Sequence, residues 1–437
     1  MSTATATDVM PHRTTGSFFA NTTVPAASPA WYGSVMGSAI LATLSELRTD
    51  VIPFGHLLAV VFWLIACTLL VALTAAFVVR IARDRDALRA SIANPVAMAQ
   101  WGMVSMGVLA VGSATSAVLP TISAGLRDAA WRADVVLWVV GTVIGLTTAV
   151  AVPARLLVAD PSTPTTAWGL AVVPPMVSAT AGAGIVGWLS DPQARVWVLL
   201  ASAACFFVAL VLGVIIFAIA YRHHWLVEPL PLAASITAWL PLGVVGQSTA
   251  AAQAIARQSA SMLQGPFATM VTQAGHVYGY VMLTIGVPLV AWALAMTVRG
   301  FTKRMPFSPG WWGMTFPVGT LVLGSSMLQG PFATTVTQIG HVYGYVMLTI
   351  GVPLVAWALA MTVRGFTKRM PFSPGWWGMT FPVGTLVLGS TMLGRSSHHA
   401  IFTWAGGALY LFLLGTWSVC AISSLLAVRH QRALRHA

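Results

Sequence analysis

Charge is what this chain has least of. Asp, Glu, Lys and Arg make up 7% of its 437 residues, against 57% hydrophobic residues, and mean hydropathy is +0.82. Soluble domains carry about 25% charged residues, so a soluble fold would have too little here to cover its surface. Acid is scarcer than base: no Asp or Glu follows Glu228. Cysteine is nearly absent. Cys67, Cys205 and Cys420 all fall in apolar runs, which excludes a disulfide framework and a cysteine-based zinc site. The His223-His224 and His398-His399 pairs belong to no Cys-rich or His-Glu-x-x-His pattern, so neither metal nor cofactor is expected. No phosphate-binding glycine loop is present, which leaves ATP-driven transport without support. The N-terminus has no basic start followed by an apolar core. It is rich in Ala, Thr, Ser and Pro, so residues 1–30 are expected to form a disordered cytoplasmic tail, not a signal peptide.

What remains is apolar sequence in long blocks. Many uncharged windows reach the roughly 18 residues that a helix needs to cross a bilayer. The fold class expected is an all-α polytopic membrane protein. Spans are read at 31–47, 52–81, 95–118, 134–157, 168–190, 196–221, 232–255, 276–300, 310–328, 341–365, 375–393 and 400–428. With the N-terminus inside, 16 of the 22 Lys and Arg residues fall in inside segments, a bias that puts both termini in the cytoplasm. Residues 31–428 then form a single transmembrane domain and 429–437 a basic cytoplasmic tail. The net charge of +12 sits in short loops between spans, so it sets topology and does not point to nucleic acid. The partner expected from composition is the lipid bilayer.

The spans are of two kinds. The segment 168–190 has nine Gly, Ser, Thr or Pro in 23 residues, whereas 196–221 has two in 26. Small residues and proline let backbones approach or line a cavity, while Leu, Val, Ile and Phe suit a lipid-facing wall. Odd-numbered spans are therefore expected to form an inner ring and even-numbered spans an outer one. Ordinary tight helix packing would give the same composition.

One stretch occurs twice. Residues 261–325 and 326–390 are the same 65-residue unit and differ only at Met270/Thr335 and Ala274/Ile339. Each copy holds one outer-type span, a basic loop, and the phrase Gly-Trp-Trp-Gly-Met-Thr-Phe-Pro-Val-Gly-Thr, at 310–320 and 375–385. Such near-identity marks a recent duplication or a cloning artefact; an old repeat array would have diverged. Because a unit holds two spans, sidedness is preserved. Either one copy is extruded from a ten-span bundle, or both enter a ring of six hairpins with a wider bore.

The phrase Trp-Trp-Gly-Met-Thr-Phe-Pro-Val-Gly-Thr resembles the ninth-helix signature of the tellurite-resistance/dicarboxylate transporter family. That family includes plant slow anion channels, bacterial tellurite-resistance homologues, sulfite efflux pumps and malate permeases. Trp31-Tyr-Gly-Ser-Val-Met-Gly is similar to its first-helix motif, and Leu240-Pro-Leu-Gly-Val-Val-Gly-Gln-Ser to its seventh. The wording is nearest to the sulfite-efflux branch. The resemblance implies ten helices in five inner-outer hairpins around a pore, a homotrimer, and transport of small inorganic or organic anions across a bacterial cytoplasmic membrane. It implies a phenylalanine gate, carried here by Phe316 and Phe381. Which of the two closes the pore is left open by the duplication.

Elementary physics fits that role. A bulky apolar ring in a narrow pore excludes water and ions. Pro317 and Pro382, which follow the rings, are expected to kink the helix beside the gate. Pro174, Pro175, Pro241, Gly246 and Gln247 are candidates for lining the path. No acidic residue is expected near the middle of a span, which favours a channel-like anion path over a proton-coupled pump. Sulfite efflux is the first reading and C4-dicarboxylate (malate) transport the alternative. A remote alternative is an intramembrane serine hydrolase, built on Ser248 within Gly246–Ala250 with His276 as base. Trp31, Trp101, Trp168, Trp197, Trp311 and Trp312 read as interfacial belts, and His276 and His341 as interfacial polar residues.

Overall fold

The computed structural model describes residues 26–158, 163–305, 308–328, 333–367, 370 and 372–436. The tail expected over 1–30 lies outside the described residues up to residue 25. No strand occurs among the described residues, and the chain is built from helices. Twelve of them organise it. Six are short: α1 (Tyr32–Leu47), α3 (Trp101–Ile122), α5 (Val173–Val186), α7 (Leu240–Ala260), α9 (Thr315–Ser326) and α11 (Phe381–Ser397). Six are long: α2 (Gly55–Arg83), α4 (Arg127–Val158), α6 (Pro192–Leu226), α8 (Pro266–Thr302), α10 (Ala333–Thr367) and α12 (Ala400–His436). The long helices run 29–37 residues and the short ones 12–22. Residues 429–436, expected as a separate tail, continue α12.

Each short helix pairs with the long one that follows it. In the α7/α8 hairpin, Trp239 Nε1 donates to Thr297 Oγ1 (2.8 Å) at one end and Gln253 Nε2 donates to the Gly275 carbonyl (2.6 Å) at the other, so the two run antiparallel. The short helices then contact one another in order around a ring. Gly107 of α3 packs on Tyr32 of α1, and Gly102 of α3 on Pro174 of α5. Gln247 of α7 donates to Thr180 of α5 (3.0 Å). Gly246 of α7 lies on the Thr320–Leu321 backbone of α9, and Gly319 of α9 on the Thr385–Leu386 backbone of α11. The ring closes where Gly384 of α11 meets Ile40 of α1 and Gly37 of α1 meets Thr380.

Composition explains the two layers. α9 is buried at every residue but Leu323, and α1 at all but Thr43, Glu46 and Leu47. A helix enclosed on all sides must be thin, and Gly, Ser, Thr and Ala make it so. The long helices leave Val, Leu and Ile outward: Val71, Val136, Val214, Val287 and Leu411 are all more than half exposed. Among the described residues, eight helices are long and apolar enough to cross a membrane, including all six of the outer layer. The inner-outer division expected from odd and even spans is thus the division found.

Both copies of the repeated unit enter the ring. α8 with α9 comes from the first copy and α10 with α11 from the second, and neither is extruded. The seam between α7 and α9 recurs between α9 and α11. Gly324 meets the Gly246 carbonyl in the first, and Gly389 meets the Gly319 carbonyl in the second. The unit carries complementary glycines on two faces, so a copy can dock on itself.

Candidate functional site

Most inner helices begin in the same way. A 3-10 segment leads in at Pro29–Trp31, Thr166–Val172, Leu232–Trp239, Pro309–Met314 and Pro374–Met379, and the α-helix follows directly or after one residue. In α5, α7, α9 and α11 a proline sits in the first α-helical turn: Pro174 and Pro175, Pro241, Pro317, and Pro382. The expected kink at Pro317 and Pro382 is therefore corrected. A first-turn residue needs no N–H donor, so proline starts these helices at the 3-10 junction without bending one midway.

The junction is pinned by tryptophan. Trp239, Trp312 and Trp377 donate to Thr297 Oγ1 (2.8 Å), Thr362 Oγ1 (3.0 Å) and Ser424 Oγ (3.1 Å) of their partner helices. Trp31, Trp311 and Trp312 are buried in the core, which corrects their reading as a belt. Burial of two indoles per copy needs the hairpin closed around them. Trp197, by contrast, is 64% exposed. His276 is buried too, not interfacial.

Phe316 and Phe381 follow directly on these junctions, at the same level on neighbouring inner helices. Their rings stack at 6.1 Å between centroids with 27° between planes. Phe316 presses on Gly243 of α7, where any Cβ would touch its ring, and is 9% exposed. Phe381 has Phe316 where Phe316 has a glycine, and it is only half-buried. The two copies thus put one chemical group in two settings.

The other candidates separate into packing and path. Pro174 is inserted between Gly102 of α3 and Gly145 of α4, so it makes a helix contact away from the axis. Gly246 likewise is a helix crossing. Pro175 and Pro241 are buried in the first turns of α5 and α7. Gln247 is buried and bridges to Thr180. A stripe that sequence reasoning missed runs along α3: Met103, Met106, Ala110, Ser113 and Ala117 are half-buried while most residues between them are buried. With α1, α2, α4 and α5 packed around α3, this open face is the one toward the ring axis.

Two charged groups within the bundle were also missed. Asp134 was placed at the edge of a span, but α4 starts at Arg127, which carries Asp134 about two turns in. It is 4% exposed, lies against Gly112 in the middle of α3, and accepts from Ser116 Oγ at 2.6 Å. No acid was expected near the middle of a span; Asp134 stands about two turns into α4, yet it faces the middle of α3. Arg48 caps α1 at the opposite end from the tryptophan junctions and is 2% exposed. It donates to Thr391 Oγ1 (2.7 Å) and the Thr403 carbonyl (2.9 Å) and has no carboxylate partner among the described residues. Burial lowers its pKa from the ordinary guanidinium value, and Asp50 partly offsets this. It ties α1 to α11 and α12 at the seam that closes the ring, together with Ser45–Tyr410 (2.7 Å) and Trp417–Ser38 (2.9 Å).

No group of three His, Cys, Asp or Glu able to hold a metal is found among the described residues. Ser248 donates to the Val245 carbonyl (3.2 Å), a bond within its own helix and not to His276.

The chain matches the voltage-dependent anion channel model, SLAC1, over residues 26–339 and again over 329–425. It belongs to that family. The two matched stretches overlap inside the repeat, at the start of the second copy. The chain is 25% identical over 332 residues to the sulfite efflux pump SSU1 of Arthroderma otae, covering 74% of this chain and 84% of the relative. To the sulfite efflux pump SSU1 of Trichophyton rubrum it is 25% identical over 353 residues, covering 78% and 92%. An uncharacterised transporter of Methanocaldococcus jannaschii is 25% identical over 313 residues, covering 70% and 84%. This voltage-dependent anion channel family consists of transporters and channels, so the protein is a multi-pass membrane anion transporter and not an enzyme.

Proposed function

We propose that the chain conducts small inorganic anions, sulfite first among them, along the axis of the inner ring, and that Phe316 and Phe381 together gate it. The stacked pair on adjacent inner helices is the observation that carries this reading. Two further features support it. All six inner helices start at the end where the outer helices place Arg80, Arg155, Arg222, Arg299, Arg364 and Arg429, so positive helix ends and basic side chains share one mouth. The inner helices carry no Lys or Arg before Arg257 and Arg395 in their last turns, so a passing anion meets weak dipoles and no trap. The basic mouth is cytoplasmic by the distribution of Lys and Arg, which puts both termini inside the cell membrane, and the working unit is a homotrimer with one path per protomer.

The test is anion flux in proteoliposomes under an imposed gradient, comparing sulfite with malate for the intact chain and for F316A/F381A. Faster sulfite passage in the double variant supports the gate; unaltered flux refutes it. Malate transport is the second reading. The sixth hairpin favours it, because six helices enclose a wider axis than five, and passage of malate at the rate of sulfite would select it.

A further inference from the structure

A cavity of about 710 Å3 lies between the basic ends of α8 and α10 and so between the two copies of the repeated unit. Phe301 and Met305 from the first copy and Trp357 and Met361 from the second wall it, and Arg304 and Arg364 stand at its margin. Both arginines are exposed, and neither takes a carboxylate or carbonyl partner for its guanidinium among the described residues. No acidic residue follows Glu228 anywhere in the chain to supply one. Phe301 and Trp357 lie ring on ring at 4.0 Å, and the Trp357 indole N–H is buried without an acceptor among the described residues.

The same sequence gives a built-in control. Trp292, Met296 and Arg299 of α8 correspond to Trp357, Met361 and Arg364 of α10. In the first copy they line the neighbouring cleft between α6 and α8, and there Arg299 donates to the Leu230 carbonyl at 2.7 Å. Trp292 is held edge-on to Tyr221 at 5.0 Å. One copy satisfies its arginine within the protein. The other turns it to an open cavity with an apolar floor.

We infer that the α8/α10 cavity is a binding site for an anionic phospholipid, with Arg304 and Arg364 on the phosphodiester and the acyl chains along the outer helices. Charge fixes the sign of the ligand: two uncompensated guanidiniums take a phosphate. The walls fix its class. A free anion gains nothing from Phe301, Met305, Trp357 and Met361, whereas a lipid buries its glycerol and first methylenes there. On the same turns, Val298, Leu359 and Val363 are 57%, 40% and 50% exposed, which continues the apolar surface into the bilayer. The site exists because the unit is duplicated, since each copy provides one wall.

The test is native mass spectrometry of the full chain extracted from mixed phosphatidylglycerol/phosphatidylcholine vesicles. Retained phosphatidylglycerol per chain should fall about tenfold in R304Q/R364Q and stay unchanged in R299Q. M361W, which fills the cavity and keeps both charges, should lose the lipid to the same degree. Thermal midpoints in phosphatidylcholine alone check that each variant is folded. Retention unchanged in both R304Q/R364Q and M361W, or equally reduced in R299Q, overturns the site. Glycerol 3-phosphate displacing the lipid at equal concentration overturns the lipid as occupant, because a free phosphate would then suffice.

Discussion

The two copies of the 65-residue unit are the same sequence in different company. Copy one docks its inner helix α9 between α7 and α11; copy two docks α11 between α9 and α1. Gly319 and Gly384 are equivalent in sequence, yet a Cβ at Gly319 meets the Thr385–Leu386 backbone, while one at Gly384 meets only the Ile40 side chain. Phe316 rests on a glycine and Phe381 on a phenylalanine. Arg299 is satisfied internally and Arg364 is not. The lesson is that the two helices of a unit pack on their neighbours far more than on each other, so what each copy does depends on where it docks. Trp312–Thr362 within copy one's inner helix and copy two's outer helix repeats the geometry of Trp239–Thr297, so the hairpin pin is indifferent to the duplication.

That contrast can be broken by substitution. The largest effect is expected at the backbone seam. G319A should cost about 3 kcal/mol and G384A about 1 kcal/mol, because backbone cannot yield and an isoleucine rotamer can. Thermal midpoints in one lipid composition measure the difference, and equal losses would mean that the two seams are alike. R48M removes two charged hydrogen bonds from the α1/α11/α12 closure and should cost about 2 kcal/mol, read in the same way. The gate should also be asymmetric. F381A should raise sulfite flux more than F316A, with the double variant about tenfold above the intact chain, equivalent to some 1.4 kcal/mol of barrier. A larger effect from F316A would make copy one the dominant gate. The smallest effect is expected at the pins: W312F and W377F each lose one indole hydrogen bond, about 1 kcal/mol, and equal midpoints for the two would show that both hairpins close alike.

Much of this was legible in the residues. Twelve apolar segments alternating between small-residue and bulky composition fixed the inner and outer layers, because burial on all sides and contact with lipid demand different side chains. The family likeness came from one phrase, Trp-Trp-Gly-Met-Thr-Phe-Pro, whose tryptophans and proline turn out to build a helix start. Boundaries were harder. α8 begins at Pro266 and not near His276, since Thr269, Thr272 and Gln273 are polar enough to hide its first turns from hydropathy. The same blindness put Asp134 at a span edge, when only the partner surface at Gly112 and Ser116 shows it as buried. The choice between extrusion and a six-membered ring was not legible at all. It rests on Gly319 and Gly324 serving two faces of one thin helix, and a sequence pattern does not say which face meets what.

Both copies stand in one closed ring. A single-particle reconstruction of the full chain in lipid nanodiscs tests it directly. Six inner helices are expected around each axis, with α11 flanked by α1 and α9 and with Phe316 and Phe381 side by side. Five inner helices with one hairpin displaced to the periphery would contradict it.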